Sequence, residues 1–414
     1  MEIIVVAAII VGFYMAWNIG ANDVANSMAC AVGSKALTVF WAVVLAGICN
    51  FCGAVLVGSH VADTVRQGII DTQVFTDDPR MLAHGMLCAL LAAAVWLNLA
   101  SYFGMPVSTT HSIVGAIVGF GILQAGLGHV HWAKLGQIVA SWFISPLAGG
   151  IMAFIIFKLI LRYILSAEEP VAAARKGVPV CVFVVFTTII LAIIYKGLKN
   201  LHLDLSAPAA IALSILCGLL AAGVSRLLTR RNRNCSSESS LEEQLIQVEK
   251  TFAVLVIISS CTVAFAQGAN DVANAIGPLA AVVEIVKTNA IPGRVPVSIG
   301  FLVIGGLGIA IGLATFGYRV MRLVGTKVTE ITPSRGVAAN LAGMMTVLTC
   351  SKMGLPVSTT HTMIGAILGV GLARGITAIN RKVVKSIFTS WLATVPIAAG
   401  LTVLFYLIAR RLFW

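Results

Sequence analysis

Long apolar runs separated by short polar stretches fill this chain from end to end. They cover roughly residues 2–33, 37–58, 81–103, 106–126, 136–165, 178–196, 206–228, 251–286, 296–316, 335–353, 356–374 and 383–409. A helix needs about 20 apolar residues to cross a hydrocarbon core of ~30 Å. The pattern therefore predicts an all-α polytopic membrane protein with about 12 transmembrane segments. Two runs are too long for one simple crossing. Residues 2–33 would make a helix of ~48 Å at 1.5 Å per residue, and 251–286 is longer. Both contain a polar cluster, so the sequence predicts broken or partly unwound helices at Gly20 and Gly268. For the segments that precede and form 106–126 and 356–374, a full crossing and a re-entrant hairpin both remain open.

The long hydrophilic stretch, 229–250, divides the chain, and the two halves repeat each other. GANDVAN at 20–26 recurs at 268–274. GMPVSTTHSIVGAIVGFGI at 104–122 recurs as GLPVSTTHTMIGAILGVGL at 354–372. SW at 141–142 recurs at 390–391. Three anchors at nearly constant spacing define a first repeat of five segments over 1–165 and a second over 251–414. Two connecting segments and the hydrophilic loop occupy 166–249. An odd number of segments separates the starts of the copies, so they run in opposite directions across the membrane. Inverted repeats with a site at their meeting point near the midplane mark secondary transporters.

Charge sets the orientation. Of 28 Lys and Arg, the N-terminal side receives Arg66, Arg80, Lys134, Lys196, Lys199, Lys287, Arg294, Lys352, Arg410 and Arg411, and the other side receives the rest. By the positive-inside rule the richer side is cytoplasmic. Both termini are then extracytoplasmic, and the protein is multi-pass in the cell (inner) membrane. The opening run lacks a basic n-region and a small-residue cleavage site, and reads as the first span rather than a signal peptide. Composition agrees: 59% of residues are hydrophobic, 11% are charged and mean hydropathy is +0.98. The net charge of +12 flanks spans, which argues against a nucleic-acid partner. The nine cysteines are odd in number and, Cys235 apart, lie in apolar runs, which argues against a disulfide framework.

The chemistry sits in the two repeated motifs. Asp23 and Asp271 are the clear mid-segment acids, accompanied by Asn22, Asn26, Asn270 and Asn274. A charge there costs about 2.5–3.5 kcal/mol on the insertion scale. Carboxylate and amide oxygens are hard ligands that suit Na⁺, and unwinding would add backbone carbonyls. Asn18 and Gln267 are second-rank ligands, because the copies differ there: Asn18 matches Ala266, and Ile19 matches Gln267. The PVSTTH motifs, 106–111 and 356–361, open apolar helices. Pro suits the first turn and Ser or Thr the cap. First-turn N–H groups lack helical partners, so each helix start can take an anion. Ser108, Thr109 and Thr110, with Ser358, Thr359 and Thr360, add hydroxyls. His111 and His361 are candidate donors to the anion or partners of a neighbouring helix. Gly104 and Gly354 allow a bend just ahead. No Lys or Arg lies in either motif, so an anion beside two carboxylates needs a cation. These residue types point to cation-coupled anion uptake.

On these four motifs the sequence resembles the inorganic phosphate transporter (PiT) family across nearly the whole chain. The resemblance implies symport of inorganic phosphate with a cation and a homodimer. GANDVAN in both copies, with the short central loop, resembles the Na⁺-coupled branch, although H⁺ coupling stays open. Position by position it implies Na⁺ and phosphate binding at Asp23, Asn26, Asp271 and Asn274, with Thr109, Thr110, Thr359 and Thr360 on phosphate. It implies no enzyme activity and no cofactor beyond the co-transported ion. A proton-coupled phosphate carrier or a sulfate or other oxyanion carrier of the same fold is the alternative. An anion channel and an intramembrane aspartyl protease are remote; the protease class expects G-x-G-D and P-A-L signatures that do not surround these aspartates.

Overall fold

A computed structural model describes residues 2–58, 68–197, 205–231, 240–291, 295, 297–352 and 357–413. Gly354 and Pro356, and residues 232–239 of the central loop, lie outside them. Each apolar run becomes one helix: α1 Glu2–Gly33, α2 Val39–Val57, α3 Pro79–Tyr102, α4 Thr109–Ala125, α5 Trp132–Ile160, α6 Pro170–Gly197, α7 Ala207–Arg231, α8 Leu241–Thr288, α9 Ile299–Phe316, α11 Pro333–Lys352, α12 Thr359–Arg374 and α13 Arg381–Phe413. A short amphipathic helix, α10 Tyr318–Lys327, lies between α9 and α11 and packs on α1. Among the described residues, nine helices are long and apolar enough to cross a membrane; α4, at 17 residues, is shorter.

Local chemistry explains the ends. Thr38 caps α2 by accepting from Trp41 N, and Asp78 caps α3 ahead of Pro79 at its first turn. Ser240 and Glu243 form a reciprocal capping box that starts α8 well before its apolar run.

The expected break at Gly20 and Gly268 is not present. α1 and α8 run through both GANDVAN motifs as continuous helices of 32 and 48 residues. The glycines serve close helix crossing instead. A Cβ on Gly20 would sit 1.9 Å from the Ile309 carbonyl oxygen of α9, and one on Gly268 would sit 2.1 Å from the Asn50 oxygen of α2. Gly312 and Gly53 meet the Trp17 and Phe265 oxygens in the same way from the other side. Small residues allow this backbone approach inside a membrane. Ligation by freed backbone carbonyls is therefore withdrawn.

Between α3 and α4 the chain folds back as a hairpin. Gly104 takes φ of +70°, and Met105 N and Gly104 N return to Ala100 O and Ser101 O. Asp71 N and His131 N bond to His129 O and Ile69 O, which ties the segments flanking the open end of the hairpin together. The tip is held at the level of the α1 motif, as described below.

The packing is matched between the halves. α1 lies on α9 and α3, as α8 lies on α2 and α11. α4 packs against α13, and α12 against α5. Gly115 and Gly119 meet the backbone of Val395 and Ala399, and Gly365 and Gly369 meet that of Pro146 and Gly150. Each PVSTTH helix thus rests on the last helix of the other half. This interleaving brings all four motifs to one place.

Candidate functional site

Ser108 and Ser358 are the N-caps of α4 and α12; each hydroxyl oxygen accepts from the N–H of His111 or His361 at 3.2 Å. These caps fix both helix starts, so the next hydroxyls, Thr109, Thr110, Thr359 and Thr360, face the α1 and α8 motifs. Asn26 Nδ2 donates to Asp23 Oδ1 at 3.1 Å and to Thr360 Oγ1 at 2.8 Å. Thr360 Oγ1 reaches Asp23 Oδ1 at 3.3 Å. Across the pseudo-symmetric site, Asn274 Nδ2 donates to Thr109 Oγ1 and Thr110 Oγ1, both at 3.2 Å. Thr359 Oγ1 donates to Asp271 Oδ2 at 3.3 Å, and Asn270 Nδ2 to Asp271 Oδ1 at 3.1 Å. The network joins residues up to 337 positions apart.

Polar groups buried in an apolar medium find partners or are costly. Here several acceptors have none among the described residues: Asp23 Oδ2, Asn26 Oδ1, Asn18 Oδ1 and Gln267 Oε1. All four residues are buried, and Gln267 Nε2 is tied to the Asp23 carbonyl at 2.9 Å. Buried oxygen acceptors without donors suit a hard cation, although Asn18 and Asn26, eight residues or about 12 Å apart along α1, cannot both ligate one ion. Asn18 and Gln267, second-rank in the sequence, supply two of them.

Asn22 is a different case. Its Oδ1 accepts from Val107 N at 3.1 Å, and its Nδ2 donates to Ser101 Oγ and Met105 O, both at 3.0 Å. Both ends of the amide clamp the hairpin tip to α1, which gives Asn22 a structural role beside its place among the sodium candidates. Thr360 Oγ1 and Trp391 Nε1 reach the Val107 and Pro106 carbonyls of the same tip.

His111 and His361 are buried, but their rings point away from this network. They meet each other edge-on at 4.6 Å, with Trp142 at 4.4 Å from His111 and Trp391 stacked at 3.7 Å on His361. They pack on tryptophans of the neighbouring helices α5 and α13, but the expected structural hydrogen bond is not present for His361, whose two ring nitrogens, like His111 Nδ1, have no partner among the described residues. The two tryptophans and Ser101 were missed from sequence as working residues. The repeated SW pair carried the signal for the tryptophans.

A sequence model described as the phosphate transporter family matches residues 19–402. The "Inorganic phosphate transporter 2-1, chloroplastic" of Arabidopsis thaliana is 41% identical, over 96% of this chain and 71% of that one. A solved structure titled "The sodium-dependent phosphate transporter" is 39% identical and superposes with a TM-score of 0.89, covering both chains in full. The matched repeats of GANDVAN and PVSTTH, brought together at one buried site, sit within that extent of likeness, and the chain belongs to the phosphate transporter family.

Proposed function

We propose that this protein moves inorganic phosphate across the cell membrane by symport with Na⁺. The observation that carries the reading is the set of unpartnered buried oxygens on Asp23, Asn26, Asn18 and Gln267, with Asp23 and Asn26 also hydrogen-bonded to Thr360 at the start of α12. Sodium sits among those oxygens and beside Asp271 and Asn274. Phosphate sits between Thr109 and Thr110 on one side and Thr359 and Thr360 on the other. First-turn N–H groups of α4 and α12 add donors there, and their helix dipoles favour the negative charge. Sodium offsets the repulsion between phosphate and the two aspartates, which is what couples the two solutes.

Selectivity follows from the same carboxylates. Hydrogen phosphate carries a proton that it can donate to an aspartate; sulfate carries none. The interleaved packing supports two inverted repeats, 1–165 and 251–414, that exchange environments as the site opens to one face and then the other. The termini face outward, and two copies assemble as a homodimer.

The test is phosphate binding to the purified full chain in detergent, titrated at rising Na⁺ against choline. Affinity should rise with Na⁺, and by linkage Na⁺ affinity should rise equally with phosphate. Phosphate binding of equal strength with and without Na⁺ overturns the proposal.

A further inference from the structure

Away from the transport site, α6, α7 and α8 enclose a groove of about 670 Å³. α6 packs against both α7 and α8, and the groove opens toward the surroundings between them. Its two ends differ. One end carries Arg175 on α6, Thr229 on α7, and Gln247 and Lys250 on α8. From there the walls become apolar, with Val182 and Phe186 on α6, Val224 on α7, and Val254 and Ile258 on α8. Arg175 is half-buried, and neither it nor Lys250 forms an ion pair with any described residue. The neighbouring Glu249 is committed to Ser334, accepting from both its N–H and its hydroxyl. The cations at the mouth are therefore unneutralised by any described residue.

The dimensions fit half a bilayer. Arg175 to Phe186 spans about 16 Å of helix and Lys250 to Ile258 about 12 Å, against about 15 Å for one leaflet of the core. The charged end adjoins the hydrophilic 229–250 stretch, which the positive-inside rule places on the cytoplasmic side. Basic residues at the end of an apolar interhelical cleft complement an anionic headgroup above an acyl chain.

We propose that this groove binds one anionic phospholipid of the cytoplasmic leaflet. Its phosphate pairs with Arg175 and Lys250, and an acyl chain lies along Val182, Phe186, Val254 and Ile258. The lipid fills the space that α7, which packs mainly on α6, leaves open toward α8.

Native mass spectrometry of the full chain, titrated with dioleoyl phosphatidylglycerol, dioleoyl phosphatidylcholine or glycerol phosphate, tests this. Phosphatidylglycerol should bind about thirtyfold tighter than phosphatidylcholine, and glycerol phosphate should not compete. R175Q/K250Q should lower phosphatidylglycerol affinity about thirtyfold, at about fivefold per charge, and leave phosphatidylcholine unchanged. V254W, at an exposed groove position, should weaken both lipids. Equal binding of the two lipids, full affinity in R175Q/K250Q, unchanged binding in V254W, or competition by glycerol phosphate overturns the proposal.

Discussion

Replacing Asn22 with alanine separates the two roles that GANDVAN residues play. The substitution removes three hydrogen bonds that hold the α3–α4 tip on α1. Val107 N–H is then left buried without a partner, which costs about 1–3 kcal/mol. Ser101 Oγ and Met105 O lose a donor but can be served by other groups, so they add about 1 kcal/mol together. The expected loss is about 2–4 kcal/mol, carried by the hairpin and not by the ion site. Resistance to unfolding by SDS in mixed micelles reads the stability. Na⁺ dependence of phosphate binding, measured on the folded fraction, reads the site. The reasoning expects a clear drop in the first and a Na⁺ half-saturation within about twofold of wild type. An unchanged stability with a Na⁺ half-saturation shifted tenfold would refute it and make Asn22 a sodium ligand instead of a clamp.

Further outcomes follow from the same geometry. Asp23→Asn keeps the shape but removes a charge and an orphaned oxygen, so Na⁺ half-saturation should rise at least tenfold, about 1.4 kcal/mol, and excess sulfate should begin to inhibit phosphate uptake. Thr360→Val removes the hydroxyl shared by Asn26, Asp23 and the Val107 carbonyl, and phosphate affinity should fall about tenfold in an equilibrium binding assay, as charge-assisted hydrogen bonds carry about 1.5–3 kcal/mol. Gly20→Ala forces a methyl against the Ile309 carbonyl, where the backbone cannot yield, and micelle unfolding should show a loss of about 1–3 kcal/mol or failure to fold; Gly268→Ala should do the same. His361→Phe preserves a ring on Trp391, so the phosphate KM in vesicle uptake should stay within about threefold of wild type; a loss of uptake would make His361 a phosphate donor.

Much of this site was legible because it is written twice. A polar motif costs too much inside an apolar run to be incidental, and the copies of GANDVAN and PVSTTH named the residues that the fold brings together. What each amide does was not legible. Asn22 and Asn26 are one turn apart on α1, yet one clamps a loop 79–85 residues away and the other meets Thr360 across the molecule. The long α1 and α8 runs looked too long to be unbroken, because length alone does not reveal that Ile309 and Asn50 carbonyls come within reach of Gly20 and Gly268. α10 escaped the hydropathy reading for another reason. Its charged face lowers the average, although Val320, Met321 and Val324 recur at helical spacing and are buried. The histidines beside the threonines suggested chemistry by sequence proximity, whereas helical rotation turns them toward Trp142 and Trp391.

The central claim is that sodium and phosphate share this buried site and move together. Uptake of labelled phosphate into proteoliposomes tests it most directly, under an inward Na⁺ gradient and then under an inward H⁺ gradient without Na⁺, each with excess sulfate as competitor. The account predicts uptake that needs Na⁺ and is unmoved by sulfate. Uptake driven by protons alone, or sulfate entering in place of phosphate, would contradict it.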